Sequence, residues 1–206
     1  MKKILSISVF AFLVFISTVH SQILKKDVLI GGTFGFTTGS GSNSYSTSNA
    51  NINPRIGYAI TNNSVLNANF GYAYSRNKSD VAASQFTSNT FNFGLSWRRF
   101  IPIKEKFGMF TSLYGSFGKG SSKQENENPH TIVKSTSSNF NAGLSPGLYY
   151  IPIPWLVVSV DAGGFGYTYS KNKTEGNPTG HYSSFGINFL NSFTFGVDFI
   201  LHKKKA

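Results

Sequence analysis

The chain has 206 residues, a formal net charge of +11, no cysteine, and only 13% charged residues against 20 Phe and 10 Tyr. Without cysteine, disulfides and thiolate metal sites are excluded. A soluble secreted domain carries about 25–35% charged residues on its surface, and this aromatic, charge-poor composition does not suit one.

The first element is "MKKILSISVFAFLVFISTVHSQ", with Lys2 and Lys3, an apolar run from Ile4 to Ile16, and Val19 and Ser21 ahead of Gln22. That order predicts a secretory signal peptide over 1–21, cleaved after Ser21, with a mature chain of 22–206. The apolar run is shorter than the about 20 residues a spanning helix needs. No later segment is long and apolar enough to be predicted as a membrane helix.

From there the sequence steps by two. Strands are predicted over 28–37, 50–60, 65–75, 87–99, 107–118, 138–150, 156–169 and 184–201. In the third, Leu66, Ala68, Phe70, Tyr72 and Tyr74 alternate with Asn67, Asn69, Gly71, Ala73 and Ser75. In the fourth, Phe91, Phe93, Leu95 and Trp97 alternate with Asn92, Gly94, Ser96 and Arg98. A sustained period of two is a strand signal that a helix does not produce. In the seventh strand the apolar parity changes near Gly163 and Gly164, which predicts a bulge.

The connections sort by length. Those at 61–64 ("TNNS"), 100–106 ("FIPIKEK") and 151–155 ("IPIPW") are short and rich in Asn or Pro, as turns are. Those at 38–49, 76–86, 119–137 and 170–183 are longer and polar. The expected fold is all-β: an eight-stranded antiparallel up-and-down transmembrane β-barrel with short periplasmic turns and longer external loops. Both termini are expected on the periplasmic side.

Charge decides which parity faces out. The predicted strands hold five charged residues, Arg55, Arg98, Arg99, Asp161 and Asp198. A soluble barrel with an apolar interior would place Lys and Glu on its other parity. Here that parity is Asn, Ser, Thr and Gly, which fit a narrow polar lumen and leave the apolar parity to lipid. Backbone groups in hydrocarbon need internal partners, so the sheet must close. At eight strands the interior is just filled by side chains, and a plugged core is expected.

The nonapeptides "GYAYSRNKS" (71–79) and "GYTYSKNKT" (166–174) repeat one order, aromatic residues and then cations. Tyr72, Tyr74, Tyr167 and Tyr169 are read as an interfacial aromatic belt. Arg76, Lys78, Lys171 and Lys173 follow one step higher. Lys119 and Lys123 of "YGSFGKGSSK" form a weaker third version. These six bases are candidate contacts to the phosphates of lipopolysaccharide. Lys25, Lys26, Lys104, Lys106 and the tail lysines put comparable positive charge at the other end. Nucleic acid is not an expected partner, since the compartment is wrong and no binding motif is present.

Arg55, Arg98, Asp161 and Asp198 share the inward parity and lie near the periplasmic strand ends. They are expected to meet as an ion-pair network in the lumen, with a proton or ion path as the functional alternative. Arg99 has the opposite parity and is expected to snorkel. Catalysis is not expected: His130, His181 and His202 lie in loops and tail among many serines. "GSFGKGSS" lacks the hydroxyl residue after Lys119 that a phosphate loop needs. No metal or cofactor is expected, and a monomer is.

Together these residues resemble the small eight-stranded outer-membrane barrels of the OmpX, OmpW and OmpA-barrel type, over 27–201. The sharpest motif is 194–201, "TFGVDFIL", which is similar to the signal that the barrel-assembly machinery reads. The tail "HKKKA" departs from the aromatic ending common in that group. The resemblance implies a non-enzymatic role in membrane stability or surface interaction. An OmpW-like conduit for small solutes is the alternative it carries.

Overall fold

A computed structural model of the chain describes residues 23–41, 45–79, 84–126, 131–189 and 193–202. The expected signal peptide lies outside the described residues. Ten strand segments follow in order: β1 (Val28–Gly41), β2 (Tyr45–Thr61), β3 (Ser64–Ser79), β4 (Ser84–Lys104), β5 (Phe107–Asn126), β6 (Thr131–Ile153), β7 (Leu156–Asp161), β8 (Phe165–Thr174), β9 (Gly180–Ile187) and β10 (Thr194–Leu201). Because β6 pairs with both β7 and β8, those two are halves of one interrupted strand. Similarly, β9 pairs with β8 and β10 with β7, so they too form one strand.

The ring closes where β1 meets β10, from Val28 opposite Leu201 to Thr33 opposite Gly196. The molecule is a closed eight-stranded antiparallel barrel. Its apolar parity points outward along the whole wall. Phe91 is 65% and Phe195 67% exposed, and Phe34, Ile56, Leu66, Phe93 and Leu113 share that face. So large an apolar surface is far beyond what a soluble monomer shows to water.

Two-residue turns at 105–106 and 154–155 connect strands at the end of the barrel that carries the termini. At the far end, most of the length expected as loop is strand. The β5 and β6 hairpin continues its ladder from Lys119 opposite Ser138 to Asn126 opposite Thr131. These stretches are rich in Ser, Thr and Asn on both faces, so no apolar parity announces them. Side chains add cross-strand bonds there: Thr47 Oγ1 donates to Asn77 Oδ1 at 2.6 Å, and Ser135 and Thr174 hydroxyls meet at 2.9 Å.

The parity change in the seventh strand is a bulge. Leu144 pairs with Phe165 and Gly147 with Asp161, so Ala162, Gly163 and Gly164 face only Ser145 and Pro146. Gly163 sits at φ +73°, and a Cβ there would lie 1.9 Å from the Asn188 carbonyl oxygen. The Gly164 amide donates to Asn188 Oδ1 at 3.1 Å and its carbonyl accepts from the Asn188 amide at 2.8 Å. Opposite this bulge the eighth strand is in two parts, β9 ending at Ile187 and β10 beginning at Thr194. Among the described residues β9 pairs only with β8, and β1 beyond Thr33 only with β2. The far half of the wall therefore carries a seam.

One glycine limits closure. A Cβ on Gly31 would meet the Val197 carbonyl oxygen at 2.1 Å and Asp198 Oδ1 at 2.3 Å. Gly31→Ala is expected to push β1 from β10 and cost about 1–3 kcal/mol, as overpacking does. Urea unfolding in micelles, read by the fluorescence of Trp97 and Trp155, would measure it.

The interior at the terminal end is apolar. Leu29, Ala59, Val65, Phe100, Phe110, Tyr149, Ile151, Val157 and Ile200 turn inward and are buried, and Ile23 joins them from before β1. Phe100 packs edge-on to Tyr149 with centroids 5.0 Å apart, and lies 6.1 Å from Phe110. Inward positions there are thus mostly apolar, with Ser159 and Asn67 buried among them. In "WRRFIPI" and "YYIPIPW" both parities are bulky, the inward one packing the floor and the outward one lying exposed on the wall.

Candidate functional site

Just above the apolar floor, four charged side chains meet in the lumen. Arg55 on β2 donates from Nε to Asp198 Oδ1 at 2.6 Å and from Nη2 to Oδ2 at 2.5 Å. Both groups are buried, with Asp198 at 1% exposure. Arg98 on β4 reaches Asp198 at 3.7 Å and Asp161 on β7 at 3.9 Å. Its Nε donates to Ser112 Oγ at 3.1 Å, and its guanidinium lies 4.2 Å over the Phe110 ring. Asp161 accepts from Ser145 Oγ at 3.1 Å. Two cations and two anions from four strands therefore balance, and each has a partner. Arg99 points outward and is exposed.

Above this floor lies a cavity of about 610 Å³. Its walls are largely uncharged hydrogen-bonding groups, including Asn53, Asn69, Asn92, Asn141, Ser116 and Tyr114. Gly163, Gly164, Asn188 and Thr194 bring it up to the interruption in the wall.

The outer wall carries the other predicted residues. Tyr72, Tyr167 and Tyr169 are outward and exposed, and Tyr74 shares their parity. Tyr72 donates its hydroxyl to Asn89 Oδ1 at 2.7 Å, and the Tyr169 hydroxyl meets His181 Nδ1 at 2.8 Å. The register adds a band that the nonapeptide did not reveal: Phe70, Phe93, Phe117, Phe140 and Tyr169 lie directly opposite one another across five strands. At the terminal end Trp155 stacks on Phe199, with centroids 5.9 Å apart and planes 10° apart.

Arg76, Lys78, Lys119, Lys123, Lys171 and Lys173 all project from the outward parity toward the far end and are exposed. They do not form one cluster. Arg76 donates to Gln85 Oε1 at 2.7 Å, on β3 and β4. Lys119, Lys123, Lys171 and Lys173 lie on β5 and β8, flanking β6. Lys134, not singled out by the sequence, stands between them on β6 and directly opposite Lys123. Only hairpin register could have revealed it.

Of the histidines, His181 is held by Tyr169, and His202 by Asp27 Oδ2 at 3.0 Å and the Pro154 carbonyl at 3.2 Å. His130 lies outside the described residues. Among the described residues no group of three or more His, Asp and Glu could hold a metal ion.

No protein-family model and no curated protein matches the chain. Solved structures do. The translocator domain of the autotransporter NalP from Neisseria meningitidis aligns at 12% identity with a TM-score of 0.55, over 78% of this chain and 58% of its own. The chain thus spans less than two thirds of that domain. A major outer membrane protein from Thermus thermophilus aligns at 9% identity with a TM-score of 0.53, over 85% of this chain and 98% of its own. Ail, the attachment invasion locus protein of Yersinia pestis, aligns at 14% identity with a TM-score of 0.41, over 86% of this chain and 100% of its own. At such identities the first two matches establish a shared barrel fold.

Proposed function

We propose that the protein is an integral barrel of a bacterial outer membrane, without catalytic activity, and that it stabilises the membrane or meets partners at the surface through its far-end hairpins. It stands as a monomer with both termini periplasmic, in the manner of OmpX-type barrels. The segment 194–201 would be what the barrel-assembly machinery reads. In support, β10 is the strand that closes the ring against β1. An exterior of Phe, Leu, Ile and Tyr bounded by aromatic residues suits lipid.

The observation that carries this reading is the sealed floor. Phe110 (1% exposed), its apolar neighbours and the paired charges fill the lumen at the terminal end. A barrel blocked there does not pass solutes along its axis. The parent protein in planar bilayers is expected to be electrically silent, and proteoliposomes containing it are expected not to swell in small sugars. Stepwise conductance or swelling would contradict a structural role.

A second reading, an OmpW-like conduit for small solutes, is favoured by one feature. The cavity reaches the seam, where, among the described residues, β1 beyond Thr33 pairs only with β2 and β9 only with β8. A solute would then leave sideways, not through the floor. Locking the seam with cysteines on β1 and β9 would separate the readings, because only a conduit would lose solute uptake.

A further inference from the structure

The far-end lysines fall into a pattern that the register defines. Three columns of outward residues climb the adjacent strands β5, β6 and β8. Each changes from aromatic to cationic or hydroxyl-bearing at the same place. Phe117, Phe140 and Tyr169 form one row. In the next outward row Lys119 is opposite Ser138, which is opposite Lys171. Above it come Ser121, Thr136 and Lys173, and then Lys123 directly opposite Lys134. Five lysines thus ring the hydroxyls of Ser121, Thr136 and Ser138.

The electrostatics of this patch are unfavourable as it stands. Directly opposed residues on one face have Cβ atoms about 5 Å apart, and like charges there destabilise the pair. Lys123 is relieved by an ion pair with Glu125. Among the described residues, Lys119, Lys134, Lys171 and Lys173 have no carboxylate at ion-pair distance. Arg76, by contrast, is held by Gln85. A multivalent anion lodged among the lysines would turn repulsion into attraction, with the hydroxyls as further donors.

Position identifies the source of the anion. The patch is on the outer face of the wall, not in the lumen, and begins one outward row above Phe117, Phe140 and Tyr169. A lipid whose acyl chains lie against Leu113, Phe117, Leu148 and Phe165 would hold its headgroup at the lysines.

We propose that β5, β6 and β8 form a docking site for one lipid bearing two or more headgroup phosphates, the chemistry of lipopolysaccharide, with Lys123 and Lys134 as its outermost row. This rests on the membrane reading above. A headgroup with one phosphate cannot neutralise the four lysines that lack a carboxylate, so ordinary phospholipid binds more weakly.

The test uses the mature protein in nanodiscs of phosphatidylglycerol containing a small fraction of purified lipopolysaccharide, with retained lipid measured by native mass spectrometry. Lys123→Gln with Lys134→Gln is expected to weaken retention of lipopolysaccharide about thirtyfold, the effect of removing two cations near an anionic surface. Arg76→Gln with Lys78→Gln is expected to change it little. Equal retention by the parent and the Lys123/Lys134 variant, or equal retention of enzymatically dephosphorylated lipopolysaccharide, overturns the proposal. If the parent is soluble without detergent and does not enter the discs, the membrane reading itself fails, and that result is distinct from an inserted barrel that ignores the lipid.

Discussion

Replacing Asp198 by alanine is expected to lower the unfolding free energy by about 3–5 kcal/mol, the usual cost of breaking a buried ion pair from one side. The carboxylate is 1% exposed and accepts two bonds from Arg55, at 2.6 and 2.5 Å. Without it, Arg55 loses its only ion-pair partner among the described residues, and Arg98 keeps only Asp161 at 3.9 Å. Two guanidinium groups would then face each other in a confined space. Asp198→Asn should lose less, because an amide oxygen still accepts one of the two bonds. Arg99→Ala, on the exposed face, should stay within about 0.5 kcal/mol. Urea titration in micelles checks all three; a loss below about 1 kcal/mol for Asp198→Ala would mean that cavity water solvates the arginines well enough to replace it.

Phe110→Ala is expected to have the second large effect, on the floor itself. The ring lies beneath the Arg98 guanidinium and against Gly147, where a Cβ would come within 2.3 Å of its Cζ. Removing a buried ring of this size costs about 3–5 kcal/mol, because the surroundings refill the space only in part. The Arg98 guanidinium over this ring lines the cavity of about 610 Å³ above, so the ring is what stands below that part of the cavity. The variant should therefore show conductance events where the parent shows none, and Phe110→Ala with Tyr149→Ala should show larger ones. Phe110→Leu, which keeps much of the volume, should stay silent. Destabilisation with continued silence in the double variant would mean that Phe100, Ile151 and Ile200 seal the floor unaided.

Much of the wall could be read from residue order because one rule, apolar outward and small polar inward, holds along most of every strand. Phe91, Phe93, Leu95 and Trp97 alternate with small polar residues only if one face is oily and the other is not. The bulge was legible for the same reason, since one extra residue at Gly163 and Gly164 reverses the parity. Beyond the aromatic rows both faces meet water, the alternation stops, and strands such as 119–126 read as loop. At the opposite end both faces are apolar, so Phe110 and Tyr149 could not be told from outward-facing residues by period alone. Lys134 illustrates a further limit, because its neighbour Lys123 is set by which residues face each other across a hairpin, and composition carries no trace of that.

The junction of β1 with β10 has a kinetic side. It joins residue 28 to residue 201 through a ladder that stops at Thr33, whereas β4 and β5 pair from Ser84 to Lys104. Bringing such distant segments together carries the largest loop-closure entropy in the chain, and only a short ladder compensates for it. This stitch should form last during insertion and fray first on heating. Deuterium should accordingly enter the amides of β9 and of β1 above Thr33 well before those of the β4 and β5 hairpin, tracing a breathing gradient that runs down from the seam toward the sealed base.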